Sequence, residues 1–270
     1  RKTCQGRPGS FGHEVQDAAQ YAAWGVDYLK YDWCSAEGID ARAAYSLMRR
    51  ALEATGRPIV LSVCEWGSHE PWTWARGVGH LWRTTGDITD CWACEKTDWG
   101  GLSVTAILDL NAPLARYAGP GGWNDPDMLE VGNGGLSDVE ARAHFSLWAL
   151  MAAPLMAGND LAAMSEATRA ILLNTDVIAV NQDALGVQGS RVRDDGDAEV
   201  WTKPLADGGR AVILLNRGDA AAVVRATWSE IGLAATPASV RDLWTHADSA
   251  PGPHLEATVA PHGVEMFRVR

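Results

Sequence analysis

At 270 residues the chain can bury a large core, as one big domain or one and a half, and 47% hydrophobic with 21% charged residues is ordinary globular composition. Its formal charge, 23 − 34 = −11, is carried by scattered acids, which disfavours nucleic acid as a partner because phosphate binding needs a basic face. No apolar run approaches the roughly 20 residues that cross a bilayer, which argues against an integral membrane protein.

In chain order, Gly9-Ser10 can start a helix in which Ala18, Ala19, Ala22, Ala23 and Trp24 fall at helical spacing before Gly25. An apolar run Val26–Asp32 follows and reads as a strand. Ala41 to Ala54 reads as a helix with Tyr45, Met48 and Leu52 on one face and Gly56 as its stop. A second strand, Ile59–Glu65, leads into a connection carrying Trp66, Trp72 and Trp74, and a third runs from Leu81 to Asp87. Beyond a Cys91-Trp-Ala-Cys94 segment comes a helical run, Val104–Tyr117. Ala118–Leu129 is too rich in Gly and Pro for a regular element and reads as a short strand opening into a rigid loop. Ser137 caps a helix running through Phe145, Trp148 and Leu150, Met151–Met156 reads as a fifth strand, and Glu166–Leu173 as another helix. Alternation of this kind implies βαβ units and a parallel sheet. Near Gly186-Val187-Gln188-Gly189 the pattern changes to short strand-like runs, with Asp207-Gly208-Gly209 as a hairpin turn, the mark of an antiparallel β domain. The division expected is 1–185 and 190–270.

All three early strands stop on ionisable side chains: Asp32, Glu65 and Asp87, with Lys30 and Arg83 beside them. Parallel strands share one carboxyl end, so these groups would converge there. Cleaving an acetal asks for a group that protonates the leaving oxygen and another that traps an oxocarbenium-like centre. Lys30, two residues before Asp32 and on the same side of a strand, favours an ionised carboxylate suited to a nucleophile. Asp87, at a strand exit, suits an acid/base. Taken singly, Asp32 could be a rim salt bridge and Asp87 a turn aspartate. Glu65-Trp66 joins an acceptor to an aromatic wall. Thirteen Trp against three Phe suit the C–H faces of sugar rings, although core packing accounts for many. Asp125-Pro126-Asp127 could hold a metal, but no nearby His completes a set, and a rigid loop of carboxylates accepting backbone N–H bonds is the better reading. No metal or cofactor is expected. Five Cys, an odd count, fit two disulfides and one buried thiol, as in an exported protein, and no second pair stands at zinc spacing.

Tyr28–Asp32 with Cys34, Cys64-Glu65-Trp66-Gly67, Trp82–Ile88, Ala118–Leu129 and Val177–Asp183 occur in one order and together resemble the α-galactosidases of glycoside hydrolase family 27, nearest the plant and bacterial branch. The resemblance covers nearly the whole chain. It implies a (β/α)8 TIM barrel followed by an antiparallel β-sandwich, with about three opening βα units absent before Arg1. It implies Asp32 as nucleophile, Asp87 as acid/base, and substrate contacts from Lys30, Cys64, Glu65, Trp66, Arg83, Asp127 and Met128. A Cys4–Cys34 disulfide is implied as well, bracing the nucleophile strand. Cys91–Cys94, absent from the plant pattern and more like actinobacterial relatives, is expected to form a local disulfide. The function implied is retaining hydrolysis of terminal α-D-galactosides by a secreted enzyme. A β-L-arabinopyranosidase of the same family, an inactive sugar-binding fragment and, third, a metal-dependent hydrolase using Asp125 and Asp127 are the alternatives. Glu65 would crowd an acetamido group, which disfavours an N-acetylgalactosaminidase.

Overall fold

The computed structural model describes residues 1–270, which divide into two compact units: residues 1–86 with 121–125, and residues 87–120 with 126–270. No helix is long and apolar enough to cross a membrane.

The first unit is a four-stranded parallel sheet in the order β1 (Tyr28–Asp32), β2 (Val60–Cys64), β3 (Leu81–Arg83), β4 (Trp123–Asp125). Helices α1 (Glu14–Ala23) and α2 (Ala41–Ala54) accompany it. Helix α1 begins later than Gly9-Ser10 suggests, because Gly12 takes a left-handed φ of 80° that a helix cannot carry. For α2, Asp40 supplies the N-cap, its Oδ1 accepting from the Ala43 amide at 2.6 Å, and Tyr45, Met48 and Leu52 are buried on one face. Strand residues alternate sides, so Leu61 packs with Ala18, Met48 and Leu52, while Val63 and Trp82 pack with Ala41 and Tyr45. Of these, Leu61, Met48, Leu52 and Val63 contribute about 1.5–3 kcal/mol each when fully buried. The opposite face carries Tyr28, Lys30, Asp32, Ser62, Cys64, Arg83 and Asp125 in register.

The second unit holds α3 (Val104–Asn111), α4 (Asp138–Leu150), α5 (Glu166–Leu172) and α6 (Thr175–Asn181). The helix expected over 104–117 stops at Asn111 and continues as a 3-10 turn over Ala112–Tyr117, since Pro113 has no N–H to extend the ladder. Met151–Met156 is not a strand: Ala152 sits at φ 54° and Pro154 lacks a donor, leaving one isolated bridge between Leu129 and Ala157. Four parallel strands therefore stand where five were expected. A capping box between Ser137 and Glu140 opens α4.

The remaining strands are β5 (Ser190–Asp195), β6 (Ala198–Pro204), β7 (Arg210–Asn216), β8 (Ala222–Ala226), β9 (Val240–Asp242), β10 (Asp248–Ser249), β11 (Leu255–Val259) and β12 (Val264–Val269). They form an antiparallel six-stranded sheet, β10-β9-β12-β7-β6-β5, and a β8–β11 pair. Val200, Val212 and Leu214 of the large sheet share a core with Val224, Ala226 and Leu255 of the pair, which makes the sandwich. The other face of the large sheet, through Trp201, Ile213, Leu215 and Met266, shares one core with α3, α4 and α6. Strand β5 was not legible as an element because Ser190–Asp195 is polar and half-exposed.

Candidate active site

In the first unit the strand ends bring Lys30, Asp32, Cys64 and Arg83 to one face of the sheet, with Asp32 opposite Cys64 and Arg83 opposite Asp125. Lys30 and Asp32 are exposed, while Cys64, Glu65, Arg83 and Asp125 are buried. Asp32 accepts from the Trp33 amide at 2.9 Å. A carboxylate oxygen of Asp32 and both sulfurs of the Cys4–Cys34 disulfide lie within 4.8 Å of one another. Those sulfurs are joined to each other, so the trio offers no metal site. The disulfide ties the segment before α1 to the turn after β1. A cavity of about 520 Å³ runs along the edge strand β1 and includes Lys30, Asp32, Tyr31 and Trp33 in its lining.

Cys64 is a free thiol pushed up to about 12, chiefly by burial, with Arg83 and Lys30 pulling the other way. It is a neutral wall, not a nucleophile. Arg83 reaches it with Nη1 at 3.9 Å to Sγ, and its Nη2 donates to the Gly86 carbonyl at 2.8 Å, which fixes the turn leading to Asp87. Strand β3 ends at Arg83, so Asp87 stands four residues beyond it in a loop and not on the strand tip the sequence suggests.

Glu65 is fully buried. Its Oε2 accepts from the His69 amide at 2.7 Å, with the His69 ring Nδ1 also 2.7 Å away, while its Oε1 is buried with no partner. Burial raises its pKa, and the His69 contacts oppose that rise. Trp66 (φ 58°) and Gly67 (φ 77°) turn the chain sharply after it. At Gly67 a Cβ would stand 2.4 Å from the Thr84 carbonyl, so glycine is required there. The left-handed Trp66 costs about 1–3 kcal/mol, a strain typical of functional loops.

Neither Tyr28 nor His69 was given a role from the sequence, and Asp125 was read there only as a loop carboxylate or a metal candidate. The i,i+4 spacing of Glu65 and His69 was an available signal, and so was the alternation Tyr28, Lys30, Asp32.

In the second unit Asp87 is exposed and its carbonyl accepts from Leu102 at 2.8 Å. Asp127 is buried with φ 81°. Its Oδ2 accepts from the Ile88 amide and its Oδ1 from the Met128 amide, both at 2.9 Å. Met128 is 39% exposed. Cys91 and Cys94 are joined, and Trp92 between them is buried with its ring stacked on His262 at 5.8 Å.

A parallel βα sheet with ionisable strand ends belongs to the class of βα proteins that carry their site at the carboxyl ends of the strands. Residues 1–183 match the family model described as Alpha galactosidase A, and residues 195–269 match the Alpha galactosidase C-terminal beta sandwich domain. The chain belongs to the α-galactosidase family. It is 50% identical over 99% of its length to alpha-galactosidase A of Cellvibrio japonicus, of which it covers 69%. It is 50% identical over 98% of its length to an alpha-galactosidase of Oryza sativa subsp. japonica, of which it covers 62%. The chain thus spans about two thirds of the length of these curated relatives. Alpha-galactosidase I from Mortierella vinacea superposes with a TM-score of 0.94 at 37% identity, over 99% of this chain and 74% of that one. A β-L-arabinopyranosidase from Geobacillus stearothermophilus superposes with a TM-score of 0.85 at 25% identity, over 100% of this chain and 66% of that one.

Proposed function

We propose that this chain carries the catalytic residues of a retaining exo-glycosidase that removes terminal α-D-galactosyl residues from oligo- or polysaccharides. The observation that carries this reading is the face of the parallel sheet on which Lys30, Asp32, Cys64 and Arg83 lie together, with Glu65 just beyond. Asp32 attacks the anomeric carbon, and Asp87 protonates the departing oxygen. Water then enters with Asp87 as base, and the galactose leaves with its configuration retained. Lys30 and Arg83 hold substrate hydroxyls, Cys64 and Trp66 line the ring, and Met128 adds an apolar edge. The unpartnered Glu65 Oε1 supports a role as hydroxyl acceptor, since a buried carboxylate oxygen gains most from a donor that arrives with the ligand. For Asp127, whose carboxylate takes two backbone amides, the reading is that it shapes the pocket loop more than it grips the sugar.

The family-model boundaries support a division into a catalytic part, 1–185, and a β-sandwich, 190–270. We infer that the four parallel strands belong to a (β/α)8 barrel which these residues alone do not complete, as the greater length of the relatives suggests. Two disulfides support action outside the cell, in an oxidising compartment. The β-L-arabinopyranosidase reading has support at 25% identity, against 50% for α-galactosidases.

The test assays the protein at its full natural length on 4-nitrophenyl α-D-galactoside and 4-nitrophenyl β-L-arabinopyranoside, with Asp32→Ala alongside. Preference for the galactoside and loss of turnover in the variant are expected. An arabinopyranoside preference overturns the substrate, and near-wild-type turnover in Asp32→Ala overturns the nucleophile.

A further inference from the structure

A general acid works only where its proton is within hydrogen-bond reach of the leaving oxygen, so the backbone that carries it must be held closely. On its C-terminal side the backbone at Asp87 is held through Ile88, whose amide donates to Asp127 Oδ2 at 2.9 Å. Asp127 is itself in an uncommon state, left-handed at φ 81° without being a glycine. Such a conformation persists only where its surroundings over-determine it.

Those surroundings are on one face of α4. Trp148, fully buried, donates from Nε1 to the Asp127 carbonyl at 2.8 Å. One turn earlier His144, also fully buried, accepts the Glu130 amide on Nε2 at 3.1 Å. The two rings meet edge to face at 4.1 Å, which holds the indole in place. An i,i+4 pair of side chains thus grips both ends of the segment 127–130. Core packing alone would need the volume of an indole but not its N–H.

We propose that Trp148, acting through Asp127, is a positioning residue for Asp87. This rests on the reading of Asp87 as acid/base given above. The indole N–H fixes the Asp127 carbonyl, the left-handed backbone aims its carboxylate at Ile88, and the Ile88 amide sets the main chain beside Asp87. The loop is therefore templated by a helix that need not touch the sugar.

A displaced acid/base hurts most where the leaving group needs a proton. The test compares kcat/KM of the full-length protein and its Trp148→Phe variant on a galactosyl disaccharide and on α-D-galactosyl fluoride, whose leaving group departs without full protonation. Trp148→Phe keeps an aromatic ring and deletes the donor. The expected result is a loss of about tenfold or more on the disaccharide and less than about threefold on the fluoride. Asp127→Asn, which keeps one acceptor oxygen, is expected to show the same split and serves alone if Trp148→Phe fails to fold. Equal losses on both substrates, or no loss on the disaccharide, overturn the positioning role. A wild-type protein inactive on both substrates overturns the α-galactosidase reading instead, so the two failures are distinguishable.

Discussion

Two buried glutamates in different regions, Glu65 beside the parallel strands and Glu199 in the antiparallel sheet, are 0% and 1% exposed. Their surroundings differ. Around Glu199, Oε1 pairs with Arg191 and Arg217, each at 2.8 Å, and Oε2 accepts from Trp201 Nε1 at 2.7 Å. Both arginines also pair with Asp109, which closes the network against α3. Glu65 has His69 on one oxygen and nothing on the other. Burial of a carboxylate therefore does not mark function by itself. The two differ in whether the buried oxygens are all paired.

The largest effect should come from breaking the closed network. Glu199→Ala leaves two arginines facing a buried gap, and such losses cost about 3–5 kcal/mol. A urea midpoint should fall accordingly, while turnover per folded molecule stays near wild type. Glu65→Gln should do the reverse. Its kcat/KM on an α-galactoside should fall about 100-fold, with stability equal or higher. The sign follows from the raised pKa of Glu65: the folded state disfavours the ionised form, so wild type loses stability as pH rises from the unfolded carboxylate range through the folded value. The amide escapes that loss.

A pH-graded effect, small near neutrality, is expected at His144. Burial lowers its pKa to about 3, so between roughly 6.5 and 3 the unfolded chain binds a proton that the folded protein refuses. Stability contributed by neutral His144 is present above that range and declines by about 1.4 kcal/mol for each unit the pH falls within it. His144→Gln keeps an acceptor for the Glu130 amide but does not titrate. The urea midpoint of the variant relative to wild type should rise steadily from pH 7 to pH 4. A constant difference would show that the imidazole is not held neutral.

Much of the strand-end face was legible because its signals are local. The period of two put Lys30 and Asp32 on one side, and the helical stripe Tyr45, Met48, Leu52 identified the face that covers the other. The features that sequence reading missed are element ends and one contact between residues far apart in the chain. Helix α3 ends early through Pro113, yet nothing local says that its 3-10 continuation forms. Met151–Met156 has a strand's composition, and the left-handed Ala152 that breaks it closes the end of α4, its amide donating to the Ala149 carbonyl and the Ala153 amide to the Trp148 carbonyl, with no glycine there to announce the cap. The link from Trp148 to Asp127 joins residues 21 apart, so no spacing rule reaches it. Glu65 was visible as an acid at a strand end, but its open oxygen was not. Only the surrounding donors decide that, and those of the loop after the strand, His69 foremost, lie beyond what a strand-end acid announces.

The most direct test of the account is to trap the covalent intermediate. An activated fluorinated galactosyl fluoride, incubated with the full-length protein and followed by peptide mass analysis, should leave one galactosyl-derived mass on the peptide containing Asp32. Label on another carboxylate, or galactose released with inverted configuration and no label at all, would contradict the assignment of Asp32 as the nucleophile.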